Sequence, residues 1–226
     1  LISHIKIKKG GTKFFMKEKE NEKMENLASE EKRYTYEEYA KIDDGNRYEL
    51  INGYLYLKDE WGDGRTYKKG TIKMLAAPSV QHQEIVGEIY LKLKEKLKNK
   101  KCKPFISPID VILDEENTVQ PDICIVCDEN IIDKKGIKGV PKTIIEVISK
   151  GSIKHDKIEK YSLYMSYGVK NYIIINPIDK EIIKCTLNDY GYYDTKKLEI
   201  TDDINIEDIT LSLKQFYIDN PKYLEE

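Results

Sequence analysis

Two carboxylates stand where a folded chain should tolerate neither. Asp122 lies in the run Gln-Pro-Asp-Ile-Cys-Ile-Val (120–126), and Glu146 lies in Thr-Ile-Ile-Glu-Val-Ile-Ser (143–149). Short β-branched apolar runs read as buried strands. A carboxylate on such a strand is costly unless its charge is compensated. Two such strands, close in sequence and expected to be neighbours in a sheet, can share the compensation through a divalent cation. Period two puts Asp122, Cys124 and Val126 on one face of their strand, and Glu146 with Ile148 on one face of theirs. If Asp122 pairs near Glu146, both carboxylates point to the same side. Mg²⁺ takes about six oxygens at roughly 2.0–2.1 Å, several of them water. Two carboxylates, a backbone carbonyl and a substrate phosphate oxygen meet that need. Such an ion lowers the pKa of a bound water and neutralises charge building on phosphorus. Oxygen ligands without a Cys or His cluster favour Mg²⁺ (or Mn²⁺) over zinc.

The elements that must position this pair can be read in outline. Thr35 and Glu38 form a capping box, with Tyr34 and Tyr39 placed as a staple, so a short helix is expected to about Ile42. Residues 48–51 and 54–57 flank Asn52-Gly53, a two-residue hairpin signal. Trp61-Gly62-Asp63-Gly64 reads as a loop, and 65–76 as a further strand. Pro78-Ser79 starts a helix in which Ile85, Ile89, Leu93 and Leu97 recur at i+4. Three strands are expected at 109–113, 123–126 and 144–148, and a helix at 154–167 that Gly168 ends. A near-continuous apolar strand, 172–175, suits a position covered on both faces. A hairpin turning at 188–191 and a short helix near 213–217 close the chain. The expected order is helix, three strands, helix, strand.

This order, and the residues on it, resemble a known group. Pro-Asp on one strand and Glu-x-x-Ser on the next look like the PD-(D/E)XK nuclease superfamily. More narrowly, the chain is similar to the Uma-type putative restriction endonuclease family. The matching stretches are Tyr48-Glu49-Leu50-Ile51-Asn52-Gly53, Pro78-Ser79-Val80-Gln81-His82-Gln83, Gln120-Pro121-Asp122, and Pro141 with Ile145-Glu146-Val147-Ile148-Ser149. They continue through Asp156-x-x-x-Lys160-x-x-x-Tyr164 to Gly168-Val169-x-x-Tyr172 and Asn176-Pro177. The resemblance implies an α/β fold (α+β, with a mixed sheet): a restriction-endonuclease-like αβββαβ core with an added N-terminal β-hairpin. It implies metal-dependent hydrolysis of DNA phosphodiester bonds, with Asp122 and Glu146 as metal ligands. The superfamily's usual lysine, two residues after the glutamate, is here Ile148. The Uma-type pattern offers Lys160 on the following helix instead, where its ammonium could orient water or stabilise charge on phosphorus. Glu49, His82, Asp110, Gln120 and Asp156 are the candidates for lining the cleft.

Plainer readings stand beside these. Asp122 and Glu146 could be two carboxylates neutralised by local lysines or strand-end amides. Lys160 could be a helix-surface lysine paired with Asp156 at i+4. His82 falls on the apolar face of its helix and could be a satisfied core histidine. Glu49 and Asp110 could be solvated strand residues. Cys124-x-x-Cys127 suggests zinc or redox chemistry, but i and i+3 face opposite sides of a strand. The seventeen tyrosines fit packing better than base stacking. Lysines within 92–103 fit a solvated helix face better than a phosphate track. A nuclease fold that has lost its chemistry and serves as a binding or interaction module is the competing function.

Composition sets the outer bounds. A chain of 226 residues fits one domain with a tail, here 34–226 after a Lys- and Glu-rich stretch at 1–33 expected to be disordered. Met16 or Met24 could be the true start. A net charge of −2 gives no global basic field, so DNA contact would need a local groove. No apolar run approaches a membrane span. The four cysteines form no dense framework, which points to a reducing compartment, the cytoplasm. A homodimer would present one site to each DNA strand.

Overall fold

The computed structural model describes residues 32–59, 72–74, 79–149, 155–206 and 208–225. The expected tail, the loop at 61–64, most of the strand at 65–76 and the start of the first long helix at Pro78 lie outside the described residues. The compact unit is Tyr34–Glu226.

Asn52-Gly53 turns the chain as expected. Positive φ at both residues (51° and 74°) makes the mirror-image turn that suits the twist of paired strands. The strands Arg47–Ile51 and Tyr54–Asp59 pair across it, with Ile51 opposite Tyr54. Alternation then sorts their side chains. Tyr48 and Leu50 pack with Leu55, Leu57, Tyr34 and Tyr39. Ile51, two residues from Glu49, joins the central core. The Thr35 capping box forms, but the helix it opens is one turn, Tyr36–Tyr39.

The long helix is Val80–Lys96, and the Ser79 hydroxyl caps it by accepting from His82 N–H at 3.2 Å. Its stripe of Ile85, Val86, Ile89 and Leu93 is buried against a six-stranded sheet. In order, that sheet contains Tyr193–Glu199, Glu181–Leu187, Asn171–Asn176, Thr143–Val147, Ile123–Val126 and Lys103–Ile106. Thr143–Val147 and Asn171–Asn176 run parallel, joined through a helical crossover. A second sheet of seven short strands includes the hairpin and Val111–Asp114. Ile123, Ile125, Ile145 and Val147 face the long helix. Cys124, Val126, Ile144 and Ile148 face the other side, towards Tyr164 and the second sheet.

Two expectations need correction. The first of the three core strands is Lys103–Ile106, not 109–113, and Val111–Asp114 belongs to the second sheet. Pro104 hid the true strand, because proline is tolerated only at a sheet edge, which is where this strand lies. The second helix is not uniform. His155–Lys160 is a π-helical turn, and Tyr161–Ser166 is α-helical. It ends as expected at Gly168 (φ 78°), where Gly168 N–H and Val169 N–H bond back to Met165 and Tyr164 carbonyls. As expected, Cys124 and Cys127 face opposite sides: Cys127, just past Ile123–Val126, is bridged to Cys102, just before Lys103–Ile106, while Cys124 turns to the opposite core and remains a free thiol.

Candidate active site

The strand register brings the acidic pair together. Ile145 pairs with Ile123 and Ile144 with Cys124, so the antiparallel ladder sets Glu146 across from Asp122 at its end. Each carboxylate is held by the other's strand. Asp122 N–H donates to Glu146 Oε2 at 3.2 Å, and Val147 N–H donates to Asp122 Oδ2 at 2.9 Å. The two groups therefore sit side by side on the Cys124 face.

Lys160 reaches them from the helix. Its ammonium lies 2.8 Å from Glu146 Oε1, 3.0 Å from Glu49 Oε1 and 3.5 Å from Asp156 Oδ1. The lysine side chain is 1% exposed and that of Glu49 is 0%, so neither is a solvated surface group. Tyr164, one turn further along, donates its hydroxyl to the same Glu146 Oε1 at 3.2 Å. Tyr172 on the neighbouring strand donates to the Asp156 carbonyl at 2.9 Å and packs edge-on against Tyr164. The π turn matters here, because such turns recur where a helix must aim side chains at a site.

Glu49 is anchored a second time, by Gln120 N–H at 2.7 Å. The side chain of Gln120 points elsewhere. It donates to Asp110 at 2.8 Å and accepts from Arg47 at 3.0 Å, and Tyr39 hydroxyl also bonds Asp110. Asp110 thus belongs to a bordering network and does not enter the carboxylate cluster. His82 is both things at once: on the apolar helix face, with Nε2 3.0 Å from Asp122 Oδ2. Asp122 is the most open of the acids that meet here, with its side chain 14% exposed.

The electrostatics follow from the burial. Desolvation opposes the charge on Lys160, but Glu146, Glu49 and Asp156 outweigh it and hold the ammonium well above its usual pKa. These neighbours favour the charged form of Lys160. Burial, then the charges of Glu146 and Glu49, pushes Tyr164 well up, so its hydroxyl keeps its proton. Burial with the Glu146 charge raises the Cys124 thiol to about 12. The i, i+4, i+8 spacing already put Tyr164 on one helix face with Asp156 and Lys160, but its bond to Glu146 was not readable from the sequence. Arg47 and Tyr39 had no such signal, since nothing in the sequence joins them to residues seventy positions away.

Among the described residues, no group of three or more His, Cys, Asp or Glu side chains is arranged to hold a metal ion. Nor is any helix there long and apolar enough to cross a membrane.

Known proteins place this architecture. No curated protein matches the chain. The crystal structure of a putative nuclease belonging to DUF820 from Anabaena variabilis matches with a TM-score of 0.61 at 15% identity. The match covers 81% of this chain and 97% of that one, so the two share a restriction-endonuclease-like fold. A family model, Uma2, described as a putative restriction endonuclease, matches residues 65–215. That span is well over half of the sequence and contains His82, Asp122, Glu146 and Lys160, and the chain belongs to the Uma2 family of putative restriction endonucleases.

Proposed function

We propose that the protein is a Mg²⁺- or Mn²⁺-dependent endonuclease that hydrolyses DNA phosphodiester bonds, works as a homodimer and acts in the cytoplasm. The observation that carries the reading is the locked pair Asp122 and Glu146 beside a buried lysine. Among the described residues, four carboxylates (Glu49, Asp122, Glu146, Asp156) meet one lysine and one histidine, a convergence of oxygens beside which a divalent cation would add positive charge. A magnesium site needs only one or two protein carboxylates, with water and phosphate oxygens completing the shell. Asp122 and Glu146 fit that requirement. The ion would supply a more acidic bound water and a counter-charge for the phosphate.

The remaining groups set the geometry. Lys160 and Tyr164 hold Glu146 by Oε1, and the Asp122 amide holds it by Oε2. His82 and Val147 N–H fix Asp122 by Oδ2. Lys160 would supply positive charge beside the acidic pair and help position or activate water. Hydrolysis would then proceed by water attack on phosphorus, with departure of a sugar oxygen.

One observation favours the binding-module reading: Lys160 is enclosed by three carboxylates, where substrate cannot reach it directly. Calorimetric titration with Mg²⁺ and Mn²⁺, followed by plasmid nicking, separates the two. Binding and nicking in the wild type, both absent in Asp122→Asn/Glu146→Gln, is the expected result. Binding without nicking would favour the module. With neither, the acidic pair is structural.

A further inference from the structure

The four cysteines divide into two kinds. Cys124 and Cys185 are buried free thiols. Cys102 and Cys127 are bridged and only half-buried. The bridge extends the ladder of Lys103–Ile106 with Ile123–Val126 by one pair, since Lys103 is opposite Val126. Cys127 also lines an open surface pocket of about 430 Å³, together with Lys101, Asp128, Lys142 and Lys170. Thiol–disulfide exchange requires a thiolate to reach a sulfur, so access selects this bridge and excludes the buried thiols. Glu129 and Asp208 act on Lys101 and Lys142, but Lys103 and Lys100 pair with those two acids, so the surroundings stay basic and would attract an anionic thiol and stabilise the thiolate that leaves.

We propose that Cys102–Cys127 is a reversible redox pair that exchanges with an anionic low-molecular-weight thiol of the glutathione class, with Cys127 Sγ as the attacked sulfur. A glutathione thiolate forms a mixed disulfide with Cys127 and releases Cys102 as a thiolate. A second glutathione thiolate attacks the glutathione sulfur of that adduct, yielding glutathione disulfide and the Cys127 thiolate. The protein gains two electrons and two glutathiones lose them. The reverse sequence, with glutathione disulfide as oxidant, rebuilds the bridge. In a reducing compartment a disulfide of this type is transient and responsive. Its place gives it leverage. It pins one end of the edge strand Lys103–Ile106, and just past the other end Ser107 N–H donates to the Asp122 carbonyl at 2.9 Å. The proposal rests on the thiol geometry alone and stands or falls independently of the nuclease reading.

The test is to equilibrate the full chain in glutathione buffers of graded redox ratio, quench with acid, alkylate under denaturing conditions and map by mass. Cys102 and Cys127 should become alkylatable together, while Cys124 and Cys185 remain thiols throughout. In oxidised buffer, Cys102→Ser should trap a glutathione adduct on Cys127. Lys101→Glu should slow reduction by glutathione several-fold, but not reduction by neutral mercaptoethanol. Reduction should lower the melting temperature by roughly 5–10 °C. Four free thiols in oxidised buffer would overturn the proposal, as would a bridge that resists excess reduced glutathione in the native state. Equal slowing with both reductants would overturn the assignment to an anionic partner.

Discussion

Lys160 shows how one residue can hold a site together. Its ammonium is the shared counter-charge of Glu49, Glu146 and Asp156. Removing one partner of a buried ionic group leaves the others uncompensated, at roughly 3–5 kcal/mol. Lys160→Met should therefore lower stability by about that amount in urea titrations, and Mn²⁺ should recover part of it. A loss below 1 kcal/mol would mean the carboxylates are balanced by other groups. The pH dependence follows from the same neighbours. The folded pKa of Lys160 is raised above 10.5, and those of Tyr164 and Tyr172 above 10.0. A raised folded pKa gives stability that is complete below the unfolded value and lost as pH climbs through the folded one. These three groups should thus leave stability flat through neutral pH and erode it above about pH 10, as a pH series of thermal melts would reveal. In Lys160→Met that alkaline slope should be shallower. The acids were legible in the sequence because charge in an apolar run is anomalous. The lysine was legible as a spacing, while its burial was not, since a lysine on a helix is ordinarily solvated.

At the scale of elements, local signals succeeded where the backbone itself demanded a residue. Asn52-Gly53 and Gly168 sit at positive φ, and both were readable. The hairpin of Ile132–Asp133 with Gly136–Lys138 was not, because two- and three-residue strands carry too little pattern. Tertiary contact explains it instead. Gly136 lies at φ 155°, and a Cβ there would stand 2.6 Å from the Asp110 carbonyl, which accepts from Ile137 N–H. The obstruction is backbone and cannot swing aside. Gly136→Ala should therefore destabilise by about 1–3 kcal/mol in chemical denaturation. It should also disturb the Asp110–Gln120–Arg47 border before it reaches Glu146, giving a larger loss of stability than of metal affinity. An unchanged midpoint would show that the loop relaxes freely. The hairpin of Asp203–Ile206 with Ile209–Ser212 escaped the sequence for a different reason. Its apolar alternation is interrupted at the turn, and only the packing of Ile204, Ile206, Ile209 and Leu211 against the long helix's core reveals it.

For the whole molecule, the near-neutral balance of 38 basic and 40 acidic residues conceals a gathering of four carboxylates around Lys160 and His82. The fold accepts that cost at the ends of two central strands, where it could have placed isoleucine, as it did at Ile144 and Ile148 on the same face. If the acidic pair is a cation site, the folded state binds metal and the unfolded state does not. Stability then rises as RT ln(1 + [M]/Kd), about 2.7 kcal/mol at a hundredfold excess over Kd. For a domain of this size that corresponds to a melting shift of about 5–10 °C. The shift should appear with Mn²⁺ or Mg²⁺, be absent with K⁺ at matched ionic strength, and vanish in Asp122→Asn/Glu146→Gln. Neutralising Asp122 alone has a further consequence. Without metal, Asp122→Asn should melt no lower than the wild type, because the neutral amide relieves the repulsion with Glu146 while its oxygen still accepts from Val147 N–H, and Glu146 keeps its bonds to Lys160 and Tyr164. An Asp122→Asn variant that melts far below metal-free wild type would instead identify that carboxylate as a structural partner of the donors around it. The direction of that one difference separates a site built to bind a cation from an ion-pair network built to hold two sheets together.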